Sequence, residues 1–315
     1  MHGCRIHTIV KAYLAIISVF SVIIPEVLAT ELQIAVLISR NESPYTEVLA
    51  GFQNYIVEQK IPVKYNTYAL EGGKAHRTQI FQEIKKNTPG LIFTIGTIPT
   101  AEVLKVFDVP VVATLILDMN MIRHARNATG VILDFPVETQ FYWLKSFLPE
   151  ARKIGVMYNP LENQEKIELA EGIARRMGLE LNPVKIYTPK DIPNALKVLA
   201  NNADVLWGIN DTLVFNPLTA KHILLFTFRN RMPFCGLSST WVKAGALYAL
   251  DYDFYDIGVQ CGEMAVEIIR GAGANSVPPS LPRKLRYILN LRTARYMKID
   301  FREEQIRKAY KIFEE

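Results

Sequence analysis

The chain of 315 residues carries 36 Lys and Arg against 31 Asp and Glu, a formal charge of +5, and half of its residues are hydrophobic. The basic residues are scattered, with a mild cluster at Arg283-Lys-Leu-Arg286 and from Arg292 to Lys298. That reads as a solvated face and argues against a nucleic-acid partner. Beyond the first thirty residues no segment is apolar for long enough to span a bilayer.

The opening segment has basic residues at Arg5 and Lys11, an apolar run from Leu14 to Ile24, then Pro25 and Val27-Leu-Ala29. This is the pattern of a secretory signal peptide, with cleavage expected after Ala29 and a periplasmic, soluble product. An uncleaved anchor is the alternative, but the apolar core is short for a span of roughly 20 residues. Cys4 precedes that core, which leaves Cys235 and Cys261 as the cysteines of the mature protein. Whether they pair depends on geometry.

The remaining chain of about 285 residues is long enough for two cores. It repeats itself. Strand-like Leu32–Ile38 is followed by an amphipathic helix over 44–60, with Val48, Leu49, Phe52, Ile56 and Val57 on one stripe, and a strand at 63–68. Ser43-Pro44 reads as an N-cap followed by proline at the first helical position. A helix over 76–86, strand 91–95, the turn Gly96 to Thr100 with a helix through Val106, and a strand ending at Asp118 complete the first unit. Residues 119–130 read as irregular, and 130–136 as a short strand crossing to a second unit.

That unit begins with a helix at 137–147, on which Trp143 reads as packing, and a strand at 153–158. Helix 164–177 with Gly178 as its C-cap, strand 181–187, helix 192–200 and strand 204–209 follow. Helix 218–230, strand 232–237, a short helix opened by Ser238-Ser-Thr240, and strand 246–250 come next. A long helix at 255–270 follows, then a Gly- and Pro-rich linker, strand 285–291 and a charged amphipathic helix at 302–313. The expected fold is α/β: two doubly wound parallel-sheet lobes with a ligand cleft between them.

Five stretches carry a resemblance: Ser43-Pro-Tyr-Thr-Glu-Val-Leu-Ala-Gly-Phe52, Leu148 through Pro160, Ala244-Gly-Ala-Leu247, Asp253-Phe-Tyr-Asp-Ile-Gly258 with Gly262-Glu-Met-Ala265, and Ile288-Leu-Asn-Leu-Arg-Thr-Ala294. In this order the chain resembles the tryptophan-binding-protein-like ABC-transporter substrate-binding proteins, of type I periplasmic binding protein fold. The resemblance implies three crossovers, with helix 255–270 returning to the first lobe and strand 285–291 to the second. It gives lobes of 31–135 plus 252–275 and of 136–251 plus 280–300, after a 1–29 signal peptide and before a 301–315 helical extension. It also implies a small-molecule solute, an ABC permease as partner, no cofactor, and a monomer. The chain departs from the family at Gly96-Thr-Ile-Pro99, where an Ala-Thr-Pro type of turn is common, and at Leu117-Asp118, where Thr-Asp is common.

In open α/β sheets ligands lie beyond the carboxyl ends of the strands. Applied to both units, that rule selects Ser39, Ser43, Tyr45, Thr97, Asp118, Asn210, Asp211, Thr212, Ser239, Tyr252 and Asp253 as ligand-binding candidates. Hydroxyls at Ser43, Thr97, Thr212 and Ser239 would hold a carboxylate, Asp118, Asp211 or Asp253 an ammonium, and Tyr45, Phe215 and Tyr252 would supply walls. Capping is the alternative role for Ser43, Thr97 and Asp211. Asp251 belongs to the hinge segment Asp251-Tyr252-Asp253 that borders the same region, with turn forming as its alternative role, and Trp207 reads as core.

Catalytic signals are sparse. His76, His124 and His222 lack metal-ligand spacing, and neither Gly72-Gly-Lys74, Gly271-Ala-Gly273 nor Ser238-Ser239 sits in a phosphate-loop, dinucleotide or nucleophile-elbow context. The reading is an extracytoplasmic receptor that binds an amino acid or similar polar solute for import. A ligand sensor for a membrane signalling receptor, or a secreted enzyme on the same scaffold, are the alternatives.

Overall fold

The computed structural model describes residues 31–71 and 73–314; the expected leader at 1–29 lies outside them. In the first lobe, β1 (Leu32–Ile38), α1 (Tyr45–Glu58), β2 (Val63–Ala69), α2 (Lys74–Asn87) and β3 (Leu91–Ile95) alternate. α3 (Thr97–Val103), β4 (Val111–Ile116), α4 (Asn120–Arg123) and β5 (Ala128–Ile132) follow. The five strands form one parallel sheet in the order β2-β1-β3-β4-β5. Its central strands are apolar on both faces because both faces are covered. Ile34, Val36 and Ile38 pack on one side, and Ala35 and Leu37 on the other.

The second lobe runs α5 (Val137–Phe147), β6 (Lys153–Tyr158), α6 (Pro160–Arg176), β7 (Glu180–Lys185), α7 (Ile192–Asn202), β8 (Val205–Trp207) and α8 (Pro217–Arg229). β9 (Phe234–Gly236), α9 (Ser239–Lys243) and β10 (Tyr248–Tyr252) complete its parallel part. The order β7-β6-β8-β9-β10 repeats the pattern of the first sheet, so the doubling in the sequence is a doubling of topology. Trp143 packs against Phe147 and Tyr287, with ring centroids 5.3 and 4.9 Å away.

α10 (Phe254–Ile269) then leaves the second lobe and lies along α1, in the core of the first. β11 (Leu285–Asn290) returns and pairs antiparallel with β10. The close approach of α1 and α10 depends on glycine. A Cβ at Gly51 would run into the Tyr255 carbonyl oxygen, and one at Gly258 into that of Val48.

Three sequence expectations change. Residues 119–130 contain a helical turn, α4, and most of β5 rather than irregular chain. α11 (Leu291–Met297) follows β11 directly, capped by Asn290, whose side chain accepts from the Thr293 N–H at 2.8 Å. The helix expected at 302–313 is only α12 (Glu303–Lys308), and Lys311–Phe313 is instead a strand, β12. β12 pairs parallel with β11, and the Tyr310 N–H donates to the Tyr287 carbonyl at 2.9 Å. The exposed edge of β11 offers unpaired backbone groups, which a short apolar segment satisfies better as a strand than as a frayed helix end.

In the basic cluster at 283–286, Arg283 and Lys284 are exposed, as a solvated face requires, and they also form an internal tie. Arg283 makes bidentate contact with Asp256 on α10, at 2.9 and 3.1 Å, and with Glu263, at 2.9 Å. Lys284 also reaches Asp256, at 2.7 Å. These pairs pin the third crossover to the first lobe. Burial opposes the charge on Asp256, which is 3% exposed, but Arg283 and Lys284 outweigh it and hold its carboxyl below the ordinary 3.8. A carboxyl lowered on folding contributes stability that is complete above its unfolded value and lost as pH falls through the folded one. Asp256→Asn is therefore expected to lower the denaturation midpoint at pH 7, with the difference from wild type shrinking as pH falls below 3.8, as read by denaturant titration across that range.

Cys235 and Cys261 are unpaired and buried in different lobes. Burial pushes each thiol up to about 12, so neither is a thiolate near neutrality.

Candidate functional site

The carboxyl ends of the two sheets face each other, and the space between them divides into three adjoining compartments. The central one, about 240 Å³, is lined from the first lobe and its crossover by Leu117, Leu133, Asp134 and Phe135. The second lobe supplies Gln140, Lys166, Trp207, Asn210, Ser238, Asp251 and Tyr252. An outer compartment of about 500 Å³ shares Leu117, Asp134, Lys166 and Asn210 and adds Asp118, Glu162, Asp211 and Thr212. A lateral one of about 350 Å³ shares Asp251 and Phe254 and adds Ser43, Glu47, Ser239, Tyr310 and Lys311.

Local structure explains how these groups arrive. β4 carries a bulge: Thr114 pairs with Val131 and Ile116 with Ile132, leaving Leu115 as an extra residue at φ 52°. Such a bulge re-aims the strand end that follows it. Here it delivers Leu117, 58% exposed, to the mouth of the cleft. Phe135, in the first crossover, stacks on Tyr252 at the end of β10, with centroids 4.1 Å apart and planes 5° from parallel. Trp207 is 2% exposed and donates its indole N–H to the Gln140 side-chain oxygen at 2.8 Å. The apolar wall of the cavity is thus fixed by packing behind it.

The polar groups differ in how far they are already engaged. Asp211 is 4% exposed and accepts from the Asn159 N–H at 2.6 Å, Asn163 Nδ2 at 2.9 Å, and the Leu213 and Val214 N–H groups at 3.1 and 2.9 Å. It ties two loops together, with little capacity left for a solute. Thr212 donates its N–H and hydroxyl to Glu162 at 2.8 and 2.6 Å. Burial works against the charge of Glu162, but the bonds from Thr212 and Asn159 hold its carboxyl below the ordinary range. Lys166 pairs with Asp134 at 3.2 Å across the two compartments they share.

Asp253 is the N-cap of α10, accepting the Asp256 N–H at 3.0 Å, and is paired with Arg286 at 2.8 Å. Burial, with Asp134 and Asp251 nearby, pushes the Tyr252 hydroxyl far above its usual range, so it remains a neutral group.

The candidates chosen from sequence therefore separate. Asn210 and Tyr252 line the central cavity; Asp118, Asn210, Asp211 and Thr212 line the outer one; Ser43 and Ser239 line the lateral one. Ser39 and Tyr45 cluster against Gly96 and line none of the three compartments; a Cβ on Gly96 would meet the Ser39 hydroxyl. Thr97 is exposed at the start of α3 and lines none of them. Ser43 is not a helix cap: Pro44 occupies that position, and the Ser43 hydroxyl donates to Glu47.

Sequence reasoning did not select Asp134, Phe135, Gln140 or Lys166; Trp207, read as core, is core and also borders the cavity, and Asp251 lies in the hinge segment the sequence pointed to. The reading of 130–136 as a crossover was the available signal for Asp134 and Phe135, since a crossover between lobes must border the cleft.

Among the described residues no helix is long and apolar enough to cross a membrane, and no group of His, Cys, Asp and Glu is arranged to hold a metal ion. Two lobes of equal topology with a lined cleft between them define a bilobal solute-binding architecture. The model of the ABC transporter substrate binding protein family matches residues 32–312, and the chain belongs to that family, whose members are extracytoplasmic solute-binding proteins.

A tyrosine-binding protein of Clostridioides difficile (strain R20291) is 25% identical over 213 residues, 64% of this chain and 60% of that protein. An uncharacterized protein of Rickettsia prowazekii (strain Madrid E) is 23% identical over 267 residues, 83% of this chain and 84% of its own. Among solved structures, the ligand-free, open form of a substrate binding protein with adhesive properties from Clostridium difficile superposes with a TM-score of 0.78 at 19% identity. It covers 90% of this chain and 100% of that one. The ABC domain from Streptococcus pneumonia in complex with L-Trp gives 0.63 at 20% identity, with the same coverage. These likenesses establish a fold of the type I periplasmic binding protein kind.

Proposed function

We propose that this protein captures an amino acid, an aromatic one before others, between its two lobes and presents it to an ABC permease for import. The observation that carries the reading is the central cavity itself. Phe135, Tyr252 and Trp207 give it an aromatic lining beside Leu117, and Asp134, Lys166 and Asp251 line the same space. A flat apolar wall with a few fixed polar groups suits a ring or chain with charged ends. Related proteins are described as tyrosine-binding and as complexed with L-Trp, which supports the same class.

Both lobes contribute lining groups, so closure would exchange the solute's hydration for contacts from both sides. The cavity then holds its solute without transforming it. An extracytoplasmic, periplasmic location follows the leader pattern at residues 1–29 together with the family, and the ABC permease would be the partner of the closed state, met by a monomer.

A thermal-shift screen of the twenty amino acids, purine-like compounds and small peptides tests this directly. L-tyrosine or L-tryptophan is expected to raise the melting temperature by several degrees at a concentration of about 100 Kd. A flat response to every compound, with no solute retained through purification, would sink the proposal.

A further inference from the structure

Six carboxylates face the three compartments, and the structure distinguishes them by what already satisfies them. Asp118 accepts the Asn120 N–H at 2.8 Å, Asp134 is paired with Lys166, and Glu162 is held by Thr212. Asp211 takes four donors, and Glu47 takes the Ser43 hydroxyl. Asp118, with its single backbone donor, is exposed to water, whereas Asp251 is partly buried with neither a side-chain donor nor a counter-charge among the described residues. Its one hydrogen bond among the described residues is from the N–H of its own neighbour, Tyr252, to Oδ1 at 2.9 Å, and it has no ion-pair partner within salt-bridge distance. It borders the central and lateral compartments at once.

We propose that Asp251 selects solutes bearing an ammonium group, holding that group at the boundary between the central and lateral compartments. The proposal rests on the amino-acid reading above and adds which end of the solute is recognised, and by what. A carboxylate taken partly out of water without a counter-charge is costly, and so is a desolvated ammonium; bringing the two together relieves both costs. The neighbourhood agrees. Burial raises the Asp251 carboxyl above its ordinary value, and Glu47 adds to this, while the Tyr252 N–H and Arg286 oppose it. Arg286 is itself committed to Asp253 at 2.8 Å. A cationic solute would supply the missing partner. With Asp134 already neutralised by Lys166, the central cavity carries one uncompensated negative charge, which disfavours solutes that are purely anionic.

The test is calorimetric titration of the full protein with L-tyrosine and L-tryptophan, and with their analogues lacking the amino group, phloretic acid and indolepropionic acid. Wild-type protein is expected to bind the amino acids at least 100-fold more tightly than the analogues. Asp251→Asn is expected to lose about 100-fold for the amino acids and to leave the weak binding of the analogues unchanged. Equal wild-type affinity for an amino acid and its analogue would overturn the assignment even if the variant fails to fold. Undiminished amino-acid binding by a folded variant would overturn it as well. If wild type binds none of the four probes, this inference falls together with the function it rests on. If it binds the amino acids but Asp251→Asn changes nothing, the function stands and this inference alone is wrong.

Discussion

Gly258→Ala is expected to lower the unfolding free energy by about 3 kcal/mol, among the largest costs of any single methyl addition to the chain. The added carbon would overlap the Val48 carbonyl oxygen and approach the Phe52 backbone nitrogen at 2.8 Å. Both obstacles are backbone inside a helix and cannot rotate aside, so α10 would have to move off α1. Ile257, Cys261, Met264 and Ala265 would move with it, and they share a core with Val48, Phe52 and Ile56. The same substitution at Gly172, inside α6, should have the opposite sign. There the nearest atom is the tip of Arg176 at 3.7 Å, and alanine is expected to stabilise by about 0.5–1 kcal/mol through helix propensity. Denaturant midpoints of the two variants check the pair. Equal effects at both sites would show that the α1–α10 contact is looser than described.

Asp211→Ala should be comparably severe for a different reason. Four donors, three of them backbone N–H groups, converge on one buried carboxylate. Each donor left buried and unpaired costs about 1–3 kcal/mol, and water reaching some of them limits the total to about 4 kcal/mol. For a lobe of this size that corresponds to a melting temperature roughly 10 °C lower. Solute affinity should fall too, because Asn210 and Thr212 flank Asp211 and the loop from Asn159 to Asn163 is held by the same carboxylate. Thermal melting combined with titration reads both effects. A variant that melts like wild type yet loses solute would instead make Asp211 a direct contact.

The alternation of strands and helices was legible because a strand buried on both faces needs an unbroken apolar run, as in residues 34–38 of β1, while a covering helix needs one stripe, as in α1. The direction of the strands selects the turns at 117–118, 210–212 and 238–240, which line the compartments, but also the turn at 96–100, which does not. What could not be read was the division of labour among acids that look alike. Asp211, Asp251 and Asp253 all sit at strand ends, yet one gathers donors from loops about fifty positions upstream, one is paired with Arg286, and one is left without a counter-charge. Those differences arise from tertiary neighbours, which neither spacing nor composition encodes. The terminal strand escaped for a related reason. Three residues of β12 carry no period of their own, and only the open edge of β11 decides their conformation.

The route of the chain through α10 has a consequence for biogenesis. The first lobe begins at residue 32 but lacks one wall of its core until 254–269 has been made. A ribosome that has finished β5 has therefore released every strand of that sheet without the helix that covers it, and the whole second lobe must be synthesised first. Contacts of such long sequence separation form slowly and leave apolar surface uncovered meanwhile. A fragment ending at Tyr252 would hold the second lobe's five parallel strands and an unfinished first lobe. That order suits a chain kept unfolded until all of it is available.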